Sequence, residues 1–191
     1  MDKNLYIISG CNGAGKTTAS YTVLPEILDC REFVNADEIA RGLSPFNPEG
    51  VAIEAGKLML QRIEDLLERE ETFAIETTLA TKSYINLVRR AQTKGYTVRL
   101  LFFWLNSPEL ALLRIAERVA KGGHNIPEPI ARRRYVAGIN NLFRLFMNEV
   151  DLWDIYDNSN KPRIEVACGG KGVDSIIFND SLFKTIESYV K

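Results

Sequence analysis

Eight consecutive residues, Gly10-Cys11-Asn12-Gly13-Ala14-Gly15-Lys16-Thr17, carry the most legible chemistry in this chain. They satisfy the spacing G-x-x-x-x-G-K-[ST], in which each fixed position has a physical task. The glycines let the backbone turn tightly enough to aim successive N–H groups inward at an anion. The lysine adds a mobile positive charge, and the hydroxyl that follows is a hard oxygen ligand for a divalent ion. Gly10, Asn12, Gly13, Ala14, Gly15, Lys16, Thr17 and Thr18 are therefore candidate contacts for a nucleoside triphosphate. Lys16 is directed at the β- and γ-phosphates and Thr17 at Mg²⁺. An accidental glycine-rich turn is the plainer alternative. The context argues against accident, because the apolar run Leu5-Tyr6-Ile7-Ile8-Ser9 precedes the loop and a helical pattern follows it. ATP with Mg²⁺ is the expected ligand.

Three further groups belong to the same chemistry. Phe33-Val34-Asn35-Ala36-Asp37 places a carboxylate just past a short strand, where Asp37 could accept the proton of a hydroxyl attacking the γ-phosphate. Equally, Asn35 or Asp37 could do no more than cap the next helix. Ile75-Glu76-Thr77-Thr78 ends another apolar strand with groups able to hydrogen-bond a polyhydroxylated acceptor, or to cap a helix. Arg114 and Arg118 stand one helical turn apart, and Arg132-Arg133-Arg134 follow a Gly- and Pro-rich connection. Guanidiniums there suit a lid that closes over a transferring phosphoryl group, although a solvated face paired with Glu117 and Glu128 explains them too. His124, in the same connection, reads as a solvated loop side chain. A guanine-reading N-K-x-D segment is missing, since Asn160-Lys161-Pro162-Arg163 lacks the acid. Neither Leu100–Leu105 nor Leu5–Ser9 ends in the acid of a motor or assembly ATPase.

The elements that must position these groups are short apolar strands alternating with longer helices. Strands are expected at Leu5–Ser9, Glu32–Asn35, Thr72–Glu76, Val98–Leu105 and Leu152–Tyr156. They are continuously apolar, as parallel strands covered on both faces should be. Helices are expected near Lys16–Leu28, Val51–Arg69 and Thr81–Lys94, from Ser107 to Gly122-Gly123, and from about Pro129. This alternation predicts a three-layer α/β fold of about five mainly parallel strands. We read residues 1–191 as a single domain, with a helical lid region at 118–134 and a hairpin plus short helix at 163–191 turning at Gly169-Gly170.

Composition removes other classes. The formal net charge of −1 offers no field for nucleic acid or an anionic membrane surface. Cys11, Cys30 and Cys168 are widely spaced and odd in number, so neither a disulfide framework nor a zinc site is expected. The N-terminus lacks a secretory signal pattern and the longest apolar run cannot span a bilayer, which points to the cytoplasm.

Taken together, Gly10–Thr17, Asn35-x-Asp37, Glu76-x-Thr78, Glu117-Arg118 and Tyr156-Asp157-Asn158-Ser159 resemble the zeta-toxin family of P-loop kinases, especially its small stand-alone bacterial members. The resemblance implies an adenylate-kinase-like fold and an ATP-dependent kinase of a nucleotide sugar, UDP-N-acetylglucosamine, at its 3′-hydroxyl. It implies Asp37 as base, Glu76 and Thr78 as acceptor contacts, Arg118 with Arg132 or Arg133 as clamps on the ATP phosphates, and an antitoxin as partner protein. A nucleoside, nucleotide or simple sugar is the alternative acceptor, and an ATPase module acting on a protein partner the alternative class. The sequence departs from the larger toxins at Leu60, where those toxins carry a substrate-binding glutamate.

Overall fold

The strand leading into the glycine loop, β1 (Lys3–Gly10), lies inside a seven-stranded sheet in a computed structural model that describes residues 3–123 and 125–190. Four strands join it in parallel: β2 (Glu32–Val34), β3 (Phe73–Thr77), β4 (Tyr96–Trp104) and β5 (Leu152–Asp157). The order is β2-β3-β1-β4-β5. A hairpin of β6 (Ile164–Gly170) and β7 (Val173–Ile177) extends the sheet antiparallel beyond β5. The connections are helical: α1 (Lys16–Thr22), α2 (Ala36–Leu43), α3 (Ala52–Glu68), α4 (Tyr84–Thr93), α5 (Pro108–Ala120), α6 (Glu128–Arg144) and α7 (Asp180–Glu187). The expected α/β architecture is present, and the C-terminal hairpin brings the strands to seven.

Burial explains the strand sequences. Every residue from Leu5 to Gly10 is buried, so both faces of β1 are covered and no polar alternation survives. Phe102, Phe103 and Trp104 of β4 are core residues. On α3 a stripe of Ala55, Met59, Ile63, Leu66 and Leu67 is the buried face. Each such Leu or Ile contributes about 1.5–3 kcal/mol, so packing more than helix propensity fixes α3. Ser107 caps α5 by accepting from Leu110 N at 3.1 Å. In that order of strands, connections leave β1 towards β2 on one side and reach β4 on the other. A ligand crevice forms at the carboxyl ends of strands where the order reverses in this way.

Three boundaries differ from the sequence reading. The helix begun at Lys16 is α-helical only to Thr22; Val23–Ile27 is a π-helical turn, with Leu28 N bonding Val23 O at 3.0 Å. Pro25 has no N–H for the carbonyl of Tyr21, and the ladder widens at that point. The helix expected from Thr81 begins at Tyr84. Gly169 and Gly170 lie within β6, and the hairpin turns at Lys171-Gly172. A Cβ on Gly169 would come 2.5 Å from the Trp153 ring, and one on Gly170 would come 2.1 Å from Asp151 O. These glycines admit close packing against β5 and its approach; they do not make the turn.

Candidate active site

The loop from Gly10 to Gly15 leaves β1 and wraps onto α1. Gly10 has φ 136°, and a Cβ there would sit 2.1 Å from Phe103 O, so only glycine fits between the loop and β4. Gly15 (φ 77°) stands at the N-cap of α1 with no capping side chain, and the first turn of α1 holds no acid. The positive end of the helix therefore faces the loop uncompensated. Neighbouring elements brace the loop from outside: Asn158 donates to Ala14 O at 2.7 Å and Arg134 to Asn12 Oδ1 at 3.4 Å. Cys11 and Asn12 are buried, and burial pushes the Cys11 thiol up to about 11, only partly offset by the Lys16 ammonium.

Lys16 is itself buried, its ammonium donating to Cys11 O at 3.1 Å and standing 3.6 Å from Glu76 Oε1. Thr17 donates its hydroxyl to Glu76 Oε2 at 2.8 Å, and Asn35 Nδ2 donates to the same oxygen at 2.9 Å. Glu76 reaches this position because β3 pairs directly with β1, in a register that sets Ile8 beside Glu76. Asn35 follows β2, where it caps α2 by accepting from Asp37 N at 2.8 Å and Glu38 N at 3.4 Å. Asp37, in the first turn of α2, carries an exposed carboxylate.

A cleft of about 300 Å³ brings Thr17, Thr18 and Asp37 together with Tyr21, Arg41 and Arg118. A second groove, about 460 Å³, continues around Tyr21 and Glu38 to Arg31, Phe33 and Arg62. Tyr21 and Phe33 meet edge to face at 6.5 Å. Asn35 borders the second groove, whereas Glu76 and Thr78 line neither. Thr78 belongs to a braced turn after β3. Leu79 there holds φ 60° while fully buried, a left-handed backbone that costs a non-glycine residue about 1–2 kcal/mol. Asn141 of α6 supports it by donating to Leu79 O at 2.8 Å, and Gly138 lets α6 approach Thr78 O, which a Cβ would meet at 2.6 Å.

Among the arginines, Arg118 of α5 lines the same cleft as Asp37. Arg132 is tied to Glu109 at 2.7 Å and Glu128 at 2.8 Å, and Arg133 is exposed. Of the three neighbours in α6 it is Arg134 that reaches the glycine loop. Arg114 donates to Ser159 O at 2.8 Å. Leu60 is exposed on α3 and lines neither cleft, and His124 lies outside the described residues. Sequence reading named Arg134 only as one of a triplet, and did not find Asn141 or the bracing role of Asn158, because their partners are 62 to 144 positions away. Among the described residues, no cluster of three or more His, Cys, Asp or Glu side chains could hold a metal. Thr17 with the nearby Glu76 carboxylate nonetheless offers the hard oxygen chemistry that Mg²⁺ takes alongside phosphate oxygens.

Comparison with known proteins gives the following likenesses. A protein from Haemophilus influenzae of uncharacterised function is 30% identical over 135 residues, covering 71% of this chain and 94% of its own length. The structure of AvrRxo1-ORF1:-ORF2 with ATP superposes with a TM-score of 0.77 at 18% identity, over 98% of this chain. This chain spans 64% of the length of that one. The structure of the PezAT chromosomal toxin–antitoxin system of Streptococcus pneumoniae gives a TM-score of 0.70 at 19% identity, over 99% of this chain and 78% of that one. The sequence profile of the Zeta toxin family matches residues 2–164. The chain belongs to the zeta toxin family.

Proposed function

We propose that the protein is an ATP-dependent kinase that transfers the γ-phosphoryl group to a hydroxyl of a nucleotide sugar, UDP-N-acetylglucosamine being the first candidate. The observation that carries this reading is one cleft lined by both Thr17, from the phosphate-binding loop, and Asp37, the candidate base. Membership of the zeta toxin family and the ATP complex of AvrRxo1-ORF1:-ORF2 support ATP as donor.

In this mechanism the main-chain amides of Gly10–Thr17 and the Lys16 ammonium hold the β- and γ-phosphates. Thr17 would hold Mg²⁺, which when bound would neutralise charge on the phosphate oxygens. The acceptor hydroxyl enters from the Asp37 side, and Asp37 orients it and takes its proton. Arg118 lines the same cleft, while Arg134 reaches the loop at Asn12. Arg134, in place of Arg132 or Arg133, is our candidate for the second phosphate clamp, because Arg132 is engaged by two glutamates. The second groove supports an elongated acceptor: Tyr21 and Phe33 offer aromatic faces, and Arg31 and Arg62 offer charge for a diphosphate. Glu76 and Thr78 are the acceptor contacts that the family resemblance implies, but neither lines the cleft or the groove, and Asn35 borders the groove.

The PezAT system supports a protein antitoxin as partner. Cys11, Cys30 and Cys168 are unpaired thiols, and no described helix is long and apolar enough to cross a membrane; both facts fit a cytoplasmic enzyme.

The test is incubation with ATP, Mg²⁺ and a panel of nucleotide sugars, nucleosides, nucleotides and simple sugars, read by mass spectrometry. A phosphate added to a UDP-sugar supports the proposal. Phosphate on another panel member moves the acceptor, and ATP hydrolysis without any phosphorylated metabolite overturns the kinase reading.

A further inference from the structure

Glu76 is a carboxylate with only a tenth of its side chain exposed, and it is surrounded by three donors. Its Oε2 accepts from Thr17 and Asn35 at 2.8 and 2.9 Å, and its Oε1 faces Lys16 at 3.6 Å. Thr17, Asp37 and Arg118 line the cleft, whereas Glu76 does not. Glu76 therefore looks towards the nucleotide end of the site, at the hydroxyl placed to ligate the metal.

Asn35 is the second half of the arrangement. Its amide N–H₂ donates to Glu76, and its amide oxygen accepts from the backbone of Asp37 and Glu38. A cap needs only an acceptor, and Ser, Thr or Asp would serve as well. The amide adds a donor on the other end of the same rigid plane. One planar group thus joins the carboxylate at Thr17 to the first turn of the helix that carries Asp37.

We propose that Glu76 and Asn35 are positioning residues, forming a bridge that sets the base-bearing end of α2 according to the state of the magnesium–nucleotide site. The inference rests on the kinase reading above for the role of Asp37, but the bridge itself is defined by contacts on β3, α1 and α2. The Thr17 hydroxyl can ligate a cation through its lone pairs while still donating its proton to Glu76. With phosphates present, the Lys16 ammonium has competing acceptors, which leaves Glu76 to Thr17 and Asn35. The Asn35 cap then fixes α2, and Asp37 with it, relative to the phosphate loop. Reacting groups misplaced by about 1 Å lose roughly a hundredfold in rate, so a bridge this short can matter.

The experiment compares wild type with Asn35→Ser, which keeps a capping oxygen and deletes the donor, and with Glu76→Gln. Should Asn35→Ser fail to fold, Asn35→Asp keeps the cap while turning the donor into a second acceptor. Nucleotide affinity is measured by calorimetry with Mg²⁺ and with EDTA, and amide exchange is followed in the first turn of α2. For Asn35→Ser we expect MgATP affinity within about threefold of wild type, kcat lower by roughly tenfold to a hundredfold, and loss of the exchange protection that MgATP confers at Asp37 and Glu38. For Glu76→Gln we expect the gain in ATP affinity on adding Mg²⁺ to shrink by about tenfold or more. Wild-type exchange and kcat in Asn35→Ser would overturn the bridge. So would a raised acceptor KM with unchanged kcat, which marks Asn35 as a direct acceptor contact. An undiminished magnesium effect in Glu76→Gln removes Glu76 from the metal end. If no acceptor is phosphorylated by wild type, the kinase reading fails alone, and the exchange and affinity measurements still decide the bridge.

Discussion

Replacing Asp37 with Asn separates chemistry from folding in this site. The backbone N–H of residue 37 donates to Asn35 Oδ1 at 2.8 Å and does so whatever the side chain, so the cap of α2 survives. The Asp37 carboxylate is exposed, and Asn is nearly the same shape, so no cavity or buried unpaired charge results. The stability cost is that of one acid in a helix's first turn, about 0.3–1 kcal/mol. The proposed nucleotide contacts lie in Gly10–Thr17, where Lys16 and Thr17 bond Cys11 and Glu76 and not Asp37. MgATP affinity should therefore stay within about threefold of wild type. Removal of a general base lowers the rate by roughly 10²–10⁴-fold, equivalent to about 3–5 kcal/mol in the transition state. The assay is steady-state transfer to the acceptor found in the metabolite screen, with MgATP binding by calorimetry and thermal melting as controls. Turnover within threefold of wild type, in a protein that melts and binds normally, would refute the assignment of Asp37.

Other expectations follow from the same contacts. Arg134→Ala should lower transfer by roughly tenfold to a hundredfold, while Arg132→Ala, which only frees Glu109 and Glu128, should leave kcat unchanged; equal effects in steady-state assays would contradict the placement. Arg99 holds the buried Asp154 through two bonds of 2.7 Å, and Arg99→Ala should cost about 2–3 kcal/mol in urea unfolding. The partial exposure of the guanidinium keeps that figure below the full buried-pair penalty. Burial raises the Cys11 thiol from its ordinary 9.0 to about 11, so at pH 8 it carries roughly a hundredfold less thiolate. Alkylation of Cys11 should accordingly be slow at pH 8 and accelerate towards pH 11, which peptide mass mapping against time will show.

The glycine loop was legible because its whole geometry is local: four fixed positions within eight residues, framed by strand and helix. The stripe on α3 and the caps at Ser107 and Asn35 are local patterns of the same kind. What brings Glu76 to Thr17 is not local, since it depends on β3 choosing β1 as a neighbour across 59 residues of sequence. Strand order is set by packing of whole elements, and the tail of a strand does not announce which loop it will face. The arginine triplet shows an intermediate case. At about 3.6 residues per turn, Arg133 falls opposite the buried stripe of Ala131, Tyr135 and Leu142, so helical phase alone could have set it aside. Arg132 and Arg134 fall on the two flanks, and only the side on which the phosphate loop packs decides between them. Gly169-Gly170 misled because a glycine pair signals a turn locally, whereas here it serves the close approach of β5.

Calorimetric titration of the folded protein with MgATP, beside Lys16→Ala, tests the central claim most directly. The account predicts saturable one-to-one binding that requires Mg²⁺ for full affinity and is lost in the variant. Absence of binding to well-folded wild type, or equal binding by Lys16→Ala, would contradict it.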